Sequence, residues 1–231
     1  MTIYVPNIGE KEMLKDILAS QAINLGLYKN QVTGDGSLNI DLLEELPTGG
    51  GRGYAQKALT NDLLEGVPTA NKWAVSLNAS GKAEAQYHNA ALEWVFNSVD
   101  VGDSHTVYGI FGYTWVLPFD AGLAAGPIKV GDTVTGAGGA TGVVTAVVVY
   151  SGTWAGNNAA GYLCIKSKTG TFVDNESLSV GATPMATVNT GITGDAHKKL
   201  VFIEPFSAGK LIEINGQKIT YVPKITLSSA A

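Results

Sequence analysis

One uncharged stretch, Thr106–Trp115 (TVYGIFGYTW), constrains the fold more than any other part of the chain. Aliphatic and aromatic residues fill it almost continuously, so it is too apolar to lie half-exposed. A short apolar run bounded by polar residues predicts a strand that is buried on both faces. Its expected antiparallel neighbour is Leu200–Phe206 (LVFIEPF), which lies far along the chain. We therefore expect the two strands to be adjacent in one sheet, with a separate module inserted into their connection.

The composition is typical of a turn-rich β protein. The chain has 231 residues, enough for one large β domain or two small ones. Only 15% of the residues are charged, against ~25% in ordinary soluble domains, while 45% are hydrophobic and 29 are glycines. Few charges suit a surface that neighbouring subunits partly cover, because interface cores exclude charged residues. An ordinary small β protein with a Thr, Ser and Gly surface fits the same numbers.

Charge and hydropathy disfavour two classes of partner. The formal net charge is −5 and the pI is about 5.2, and the sequence has no basic stripe for nucleic-acid phosphates. No apolar run approaches the ~18–20 residues of a membrane helix. The first residues lack a basic start and an apolar core, so we expect no secretory signal and no export. The single cysteine, Cys164, is expected to be a buried or half-buried thiol.

The main secondary structure is predicted to be one short helix followed by strands. The helix Glu10–Ser20 places Met13, Leu14, Ile17 and Leu18 on one face. Alternating or continuous apolar patterns then predict strands at Ala22–Tyr28, Tyr54–Leu59, Trp73–Asn78, Ala83–His88 and Leu92–Phe96.

The segment Asn30–Gly53 is unusually long for a loop inside a compact domain. Two interpretations fit it. Either it lies outside the domain, as an arm that reaches a neighbour or as a surface loop, or the sequence IDLLEEL within it forms a helical turn.

Residues Pro127–Thr183 have a character of their own and predict the inserted module. Their lysines and acidic residues balance to zero net charge, and two pieces, VGDTVTG and VDNESLSVG, resemble each other. Met185–His197 is expected to return the chain to the main domain. Four predicted strands suggest a small β-barrel or roll: Thr133–Thr135, Gly142–Tyr150, Tyr162–Lys166 and Ser177–Val180.

The predicted fold class is therefore mainly β. Residues 1–126 and 184–231 are expected to form a discontinuous antiparallel β-sandwich with one short N-terminal helix. Residues 127–183 are expected to form the inserted small β-barrel or roll module, with its two ends close together. The alternative is that the strands of this segment extend the main sheet into one larger sandwich.

The sharpest local signal is KLIEINGQKITYVP near the C-terminus. An Asn-Gly dipeptide between two alternating strands predicts a two-residue type I′ turn. The resulting register pairs Glu213 with Lys218 on one face, and Ile212 with Ile219 on the other.

No motif for catalysis, cofactor binding or metal binding is present. His88, His105 and His197 lie far apart and lack metal-spaced partners. Gly49–Gly53 lacks the Lys-Ser/Thr and the following helix of a phosphate-binding loop. The acidic candidates are typical of solvated turns and helix faces: Asp41, Glu44–Glu45, Asp100, Asp103, and Asp132 with Asp174 and Asn175 as possible calcium ligands. We therefore expect no catalytic residues, no cofactor and no metal site, and hence no enzyme.

The order of several short motifs resembles a known family. GYAQKALT, VYGIFGY and the closing PKITLS are the most specific parts, within roughly residues 8–116 and 198–228. They resemble tailed-bacteriophage virion proteins, namely β-sandwich subunits of the head-decoration (cement) or head-associated type. The resemblance implies a decoration protein on the capsid exterior, with the major capsid protein and copies of itself as partners. It implies no catalytic residues.

Two further hypotheses remain open. The first is a tail or fibre component whose inserted module binds a host-surface glycan, with Tyr150 and Trp154 stacking on the sugar. Burial inside the module is the more ordinary role of these two side chains. The second is a virion-borne glycosidase, which needs a pair of carboxylates that the sequence does not show. Copy number in purified particles separates cement, with many copies, from a tail component, with few.

Overall fold

A computed structural model describes residues 6–32, 38–47, 53–64, 71–88, 92–97, 105–189, 196–213 and 216–227. It is mainly β, with one short N-terminal helix and largely antiparallel sheets, which is consistent with a β-sandwich and confirms the predicted fold class at this level. The chain divides into two compact units. The first unit comprises Met1–Ala19, Ile23–Tyr113 and Leu200–Ala231, and the second comprises Ser20–Ala22 and Thr114–Lys199.

Helix α1 spans Asn7–Ser20, and one 3-10 turn spans Ile40–Leu42. The strands of the described residues are β1 (Asn24–Tyr28), β2 (Lys57–Ala58), β3 (Leu63–Leu64), β4 (Lys72–Leu77), β5 (Ala83–His88), β6 (Glu93–Val95), β7 (His105–Gly122), β8 (Thr133–Gly136), β9 (Thr141–Ser151), β10 (Ala159–Thr169), β11 (Ser177–Val180), β12 (Thr183–Val188), β13 (His197–Ile212), β14 (Lys218–Thr220) and β15 (Lys224–Thr226).

Strand β7 contains the uncharged stretch that the sequence singles out, and it is buried on both faces as predicted. Residues 109–114 are buried without interruption. β1 pairs with β7 in a register that places Gly26 opposite Phe111 and Tyr28 opposite Gly109. In each pair the aromatic ring lies where the glycine's Cβ would be, so any larger residue would overlap it. The glycines therefore fix the register of this strand pair.

Strand β13 pairs with β7, which confirms that Leu200–Phe206 is the neighbour of the buried stretch. Gly112 of β7 lies against Phe202, and Gly209 of β13 lies against Thr106. The residue numbers rise on one strand as they fall on the other, so the pair is antiparallel. In the first unit this pair continues through β1 to β2, in the order β13-β7-β1-β2.

Helix α1 packs on the core of the first unit through a narrower face than predicted. Leu14 and Leu18 are buried, whereas Met13 and Ile17 are exposed. The helix itself is confirmed, and it begins a few residues before the predicted start. Two buried side chains on one edge of the helix are enough to anchor a short surface helix.

Part of the long segment Asn30–Gly53 returns to β1 instead of extending away from it. The Leu46 N–H donates to the Leu27 carbonyl at 2.9 Å, and the IDLLEEL sequence contains the 3-10 turn. The helical-turn interpretation is therefore confirmed, and residues 38–47 are not an extended arm. The remainder of the segment, 33–37 and 48–52, lies outside the described residues.

In the second unit, six strands pair in a closed ring. Their order is β10-β9-β8-β11-β12-β7, and β7 also pairs with β10. All six pairings are antiparallel. This unit has an apolar core of its own, whose fully buried members include Leu117, Phe119, Val134, Leu163 and Leu178.

The similarity between VGDTVTG and VDNESLSVG extends to the geometry of their turns. The Lys129 N–H donates to Asp132 Oδ2 at 2.7 Å, and the Val173 N–H donates to Glu176 Oε1 at 2.8 Å. In both turns the backbone N–H of the acidic residue returns a bond to the carbonyl three residues earlier. The similarity extends to a third bond. The Asp132 carbonyl accepts the Val144 N–H, and the Glu176 carbonyl accepts the Val188 N–H.

The two copies are related by a local two-fold arrangement. In the β8–β11 pair, Thr135 lies opposite Ser179, which is its own counterpart in the other copy. The offset that matches Asp132 with Glu176 (176 − 132 = 44) also matches Pro118 with Tyr162, and these two residues lie opposite each other in the β7–β10 pair. When a residue pairs with its own counterpart, a local two-fold axis passes between the two residues. The second unit is therefore built from two similar three-strand motifs, β7-β8-β9 and β10-β11-β12.

Near Gly216 the structure contains a strand pairing that the sequence did not predict. Within the described residues β14 bonds to β6, with Lys218 opposite Val95 and its amine 3.0 Å from a Glu93 carboxylate oxygen. Trp94 and Phe96 are buried together with Ile219 of β14, so this pairing belongs to the core of the first unit. The positive φ of Gly216 and the shared burial of Ile212 and Ile219 agree with the prediction. Ile214 and Asn215 lie outside the described residues.

Several boundaries also differ from the sequence interpretation. β7 continues to Gly122 through residues expected to form a connector. β12 occupies part of another expected connector, Met185–His197, despite a proline at position 184. The predicted insertion, 127–183, lies wholly inside the second unit, whose limits are wider, at Thr114 and Lys199.

Removal of the second unit is expected to leave the first unit folded. The chain leaves the first unit at Tyr113 and returns at Leu200, on two strands that pair with each other. A short Gly/Ser link can join these residues at little cost, since doubling a loop's length adds only ~0.6 kcal/mol of closure free energy. Thermal unfolding followed by circular dichroism should keep a cooperative transition. Its loss would show that residues 114–199 belong to the core of the first unit.

Candidate functional site

The histidines considered as metal ligands occupy separate strands. His88 ends β5, His105 begins β7 and His197 begins β13. No group of three or more His, Cys, Asp or Glu side chains able to hold a metal ion occurs in the part of the chain that the structure describes. Asp100, Asp103 and most of the glycine-rich 49–53 stretch lie outside that part.

The acidic residues considered for calcium binding shape turns. Asp132 accepts the Lys129 N–H, and Asp174 accepts from the side-chain amide of Asn175 at 2.7 Å. Asn175 has a positive φ of 63°, a conformation that asparagine tolerates in turns. These bonds account for the acidic residues as parts of the two repeated turns.

Glu45 lies in a half-buried polar network rather than on a solvated helix face. Its Oε1 accepts from the Tyr54 hydroxyl at 2.7 Å and from Gln56 Nε2 at 2.6 Å. The Tyr54 oxygen in turn accepts the Leu27 N–H at 3.0 Å, and the Tyr113 hydroxyl donates to Gln56 Oε1. The network ties the segment after the 3-10 turn to β1 and β7.

The electrostatics of this network favour a structural role. Burial, and secondarily the Glu45 carboxylate, raise the pKa of Tyr54 and the pKa of Tyr113 above the ordinary value of 10.0. Both phenols are therefore neutral donors at physiological pH, and neither can act as a base. Cys164 is also unreactive, because burial raises the pKa of its thiol.

A pocket of about 510 Å³ lies in the first unit. Its walls, as far as the structure describes them, are uncharged and come from the end of β1, the start of β7 and the middle of β13. They comprise Tyr28, Gln31, Val32, Tyr108, Pro205, Phe206, Ser207, Ala208 and Gly209. Such a volume falls within the ~300–1,000 Å³ of typical small-molecule sites.

Tyr28 forms part of the pocket wall and carries an unusual hydroxyl group. The ring lies across Gly109, and the hydroxyl is buried without a hydrogen-bond partner among the described residues. Burial raises the pKa of this phenol. An unpaired buried hydroxyl costs free energy, so its presence calls for an explanation beyond packing.

The sequence did not reveal this pocket because its residues are far apart along the chain. The stretches 28–32 and 205–209 meet Tyr108 only after β1, β7 and β13 pair. The one local signal was glycine inside an apolar strand pattern, which marks the close approach of another group. Gly109 is such a residue, and Tyr28 is the group that approaches it.

The second unit presents an open apolar strand edge at the end of β9. Val148, Val149 and Tyr150 are 37%, 39% and 67% exposed. β10 pairs with this part of β9 on one side. On the other side, the ladder to β8 ends at Val143, and no described strand continues it. We call Val147–Tyr150 the β9 edge.

Strand β13 is also largely exposed, yet it carries the residues that protect an edge. Lys199, Glu204 and Lys210 place charges along it, and Pro205 removes a backbone donor. Charges and proline are the usual means by which edge strands avoid pairing with other chains. The β9 edge has neither, so of these two strands it is the one open to a partner.

The structure separates the two aromatic residues considered for stacking on a sugar. Trp154 packs on Phe119 with ring centroids 5.2 Å apart and planes at 18°, and it belongs to the margin of the second unit's core. Tyr150 is exposed and lies on the β9 edge. Burial therefore accounts for Trp154 but not for Tyr150.

Comparisons with protein-family models, curated proteins and solved structures found no match. Among the described residues, no helix has the length and apolarity needed to cross a membrane.

Two Tyr-to-Phe substitutions should affect stability differently. In Tyr54→Phe, the Leu27 N–H and the Glu45 carboxylate lose a partner, so the free energy of unfolding should fall by about 1–3 kcal/mol. In Tyr28→Phe no described hydrogen bond is lost, so the free energy of unfolding should stay the same or rise. Urea unfolding of both variants measures the difference. Equal losses would show that the Tyr28 hydroxyl has a partner in the folded protein.

Stability should fall at alkaline pH because of the same tyrosines. The folded-state pKa values of Tyr54, Tyr113 and Tyr221 are raised above 10.0, chiefly by burial. Their contribution is complete below the unfolded pKa and is lost as pH rises toward the folded values. Urea unfolding from about pH 8 to about pH 11 should show this loss. Ionisation of all tyrosines near the ordinary pKa with the native fold retained would contradict it.

Proposed function

We propose that this chain is a structural protein of a tailed-bacteriophage virion, namely a capsid decoration (cement) protein that binds the outer face of the head lattice. Its partners would be the major capsid protein and copies of itself, and its location the capsid exterior. The observation that carries the proposal is the β9 edge, which offers an uncharged, exposed run of strand to a protein partner.

Strand addition is the mode of binding that such an edge supports. An exposed edge presents unpaired backbone N–H and C=O groups, and a strand from another chain can satisfy them. Val148, Val149 and Tyr150 would lose apolar surface to the partner, which favours association. Only 15% of the residues in the chain are charged, which agrees with a surface partly covered by neighbouring subunits.

The motifs that resemble virion proteins support the proposal from the first unit. VYGIFGY lies in the first half of β7 and is buried except for Tyr108, and GYAQKALT supplies Tyr54, whose hydroxyl joins the Glu45 network. PKITLS includes β15, which pairs with β5. The resemblance therefore concerns residues that build the sheets of this unit, as expected for a shared fold with variable inserted segments.

A tail or fibre component is the second candidate function. The exposed ring of Tyr150 favours it, since an exposed aromatic residue can stack on a host glycan as well as pack against a protein. Quantitative mass spectrometry of purified particles distinguishes the two positions. A copy number close to that of the major capsid protein supports decoration, and a copy number close to that of tail proteins supports the alternative.

Charged substitutions on the β9 edge should weaken attachment to capsids. Val149→Lys and Tyr150→Lys each place a charge where the partner strand would lie, so co-sedimentation with capsids that lack this protein should fall at least about tenfold. Val130→Lys is the matched control, because Val130 is as exposed as Tyr150, at 67%, but lies in a turn.

Two results would overturn the proposed mode of binding. One is unchanged co-sedimentation of the β9-edge variants, and the other is an equal loss with Val130→Lys. Circular dichroism of each variant shows that the fold is kept, so that a loss of binding reports on the surface.

A further inference from the structure

We propose that the pocket of the first unit is a binding site for a neutral saccharide. This site is distinct from the β9 edge, and its occupancy does not depend on whether the chain decorates a capsid. The chemistry of its walls, their shape and the position of its aromatic rings each point to this class of ligand.

The described residues of the pocket walls are uncharged, which selects against ionic ligands. None of the nine residues that line it is Asp, Glu, Lys, Arg or His. A carboxylate, phosphate or ammonium group would lose hydration on entry without meeting an opposite charge. A neutral saccharide carries many hydroxyl groups and no charge. On entry it loses only hydrogen bonds to water, which polar groups of the walls can replace.

The polar side chains of the pocket suit hydroxyl groups. Gln31 supplies an amide with two donors and an acceptor, and Ser207 supplies a hydroxyl that both donates and accepts. Both side chains are accessible at the pocket rim. A ligand that carries both donors and acceptors can hydrogen-bond to these two side chains. An apolar side chain of a protein partner could not.

Aromatic rings give the pocket an apolar wall against which a sugar ring can lie. The Lys210 amine lies 4.5 Å from the centroid of the Phe206 ring, so one face of that ring is already occupied. Tyr108 is the remaining half-exposed ring. The C–H groups of a sugar are weakly positive and pack on the negative face of an aromatic ring. We therefore assign Tyr108 as the stacking residue and Gln31 and Ser207 as the polar contacts.

Two glycines make room for this arrangement. A Cβ on Gly209 would overlap Thr106 and crowd the Tyr108 ring, and a Cβ on Gly109 would overlap Tyr28. The strands that form the walls are paired along β1, β7 and β13, so the pocket is formed before a ligand arrives. A preformed site loses little conformational entropy on binding.

The test uses the whole 231-residue chain and an array of neutral and anionic glycans, followed by saturation-transfer NMR with the methyl glycosides that bind. We expect at least one neutral saccharide to bind with a dissociation constant of about 1 mM or below. Ser207→Trp fills the pocket and should abolish binding. Gln31→Ala removes one polar contact and should weaken binding about fivefold or more.

The controls make each outcome decisive. Ser151→Trp places the same bulk at an exposed serine in the second unit and should leave saccharide binding unchanged. Circular dichroism establishes that the variants are folded, and Gln31→Ala serves if Ser207→Trp is not. No binding to any neutral glycan, binding to anionic glycans alone, or neutral binding that survives both pocket variants would overturn the proposal. Capsid co-sedimentation is measured separately, so its failure leaves this result intact.

Discussion

The packing of aromatic rings against glycines of the neighbouring strand is the interaction on which the pairing of β1, β7 and β13 depends. Gly26 accommodates Phe111, Gly109 accommodates Tyr28 and Gly112 accommodates Phe202. Each ring covers a backbone that has no side chain, so β1, β7 and β13 approach closely while burying large apolar areas. A shift of β1 by one residue would place Tyr28 opposite Tyr108 or Ile110 instead of Gly109, so the ring would no longer face a residue without a side chain. The register is thus specified by shape, and the pocket beside Tyr28 is a consequence of it.

The second unit reaches a closed set of strand pairings by a different route, namely the repetition of one motif. The turns at Asp132 and Glu176 use the same bonds, and each leads into a strand that buries Val134 or Leu178 in the common core. Because the copies meet around a two-fold axis, each strand of the ring finds a partner on both sides. A single three-strand motif would leave its outer edges and its apolar face open, so the two copies stabilise each other.

Sequence patterns predicted the strands whose apolar pattern is visible within a few residues. They missed the features that depend on contacts between residues far apart along the chain. Alternation located β4, β5 and β11, and the continuous apolar run located β7, since burial alone determines these patterns. The Asn-Gly turn stays a prediction, because Ile214 and Asn215 lie outside the described residues, whereas the pairing of β14 with β6 was missed because the two strands are far apart along the chain. Pro184 concealed β12, which tolerates a proline where the β11–β12 register shifts. The pocket was not predictable, because its three stretches become neighbours only when the sheet forms.

The two exposed strands show how composition along an edge bears on function. β13 carries lysines, a glutamate and a proline, and these residues keep its exposed edge from pairing with other chains. The β9 edge has only valines and a tyrosine, although a single lysine there would prevent association at almost no cost to the fold. The contrast between these two strands supports the proposal that a partner covers the β9 edge. Because β9 belongs to the second unit and the pocket to the first, substitutions can change either surface alone, and the two proposals can be tested independently.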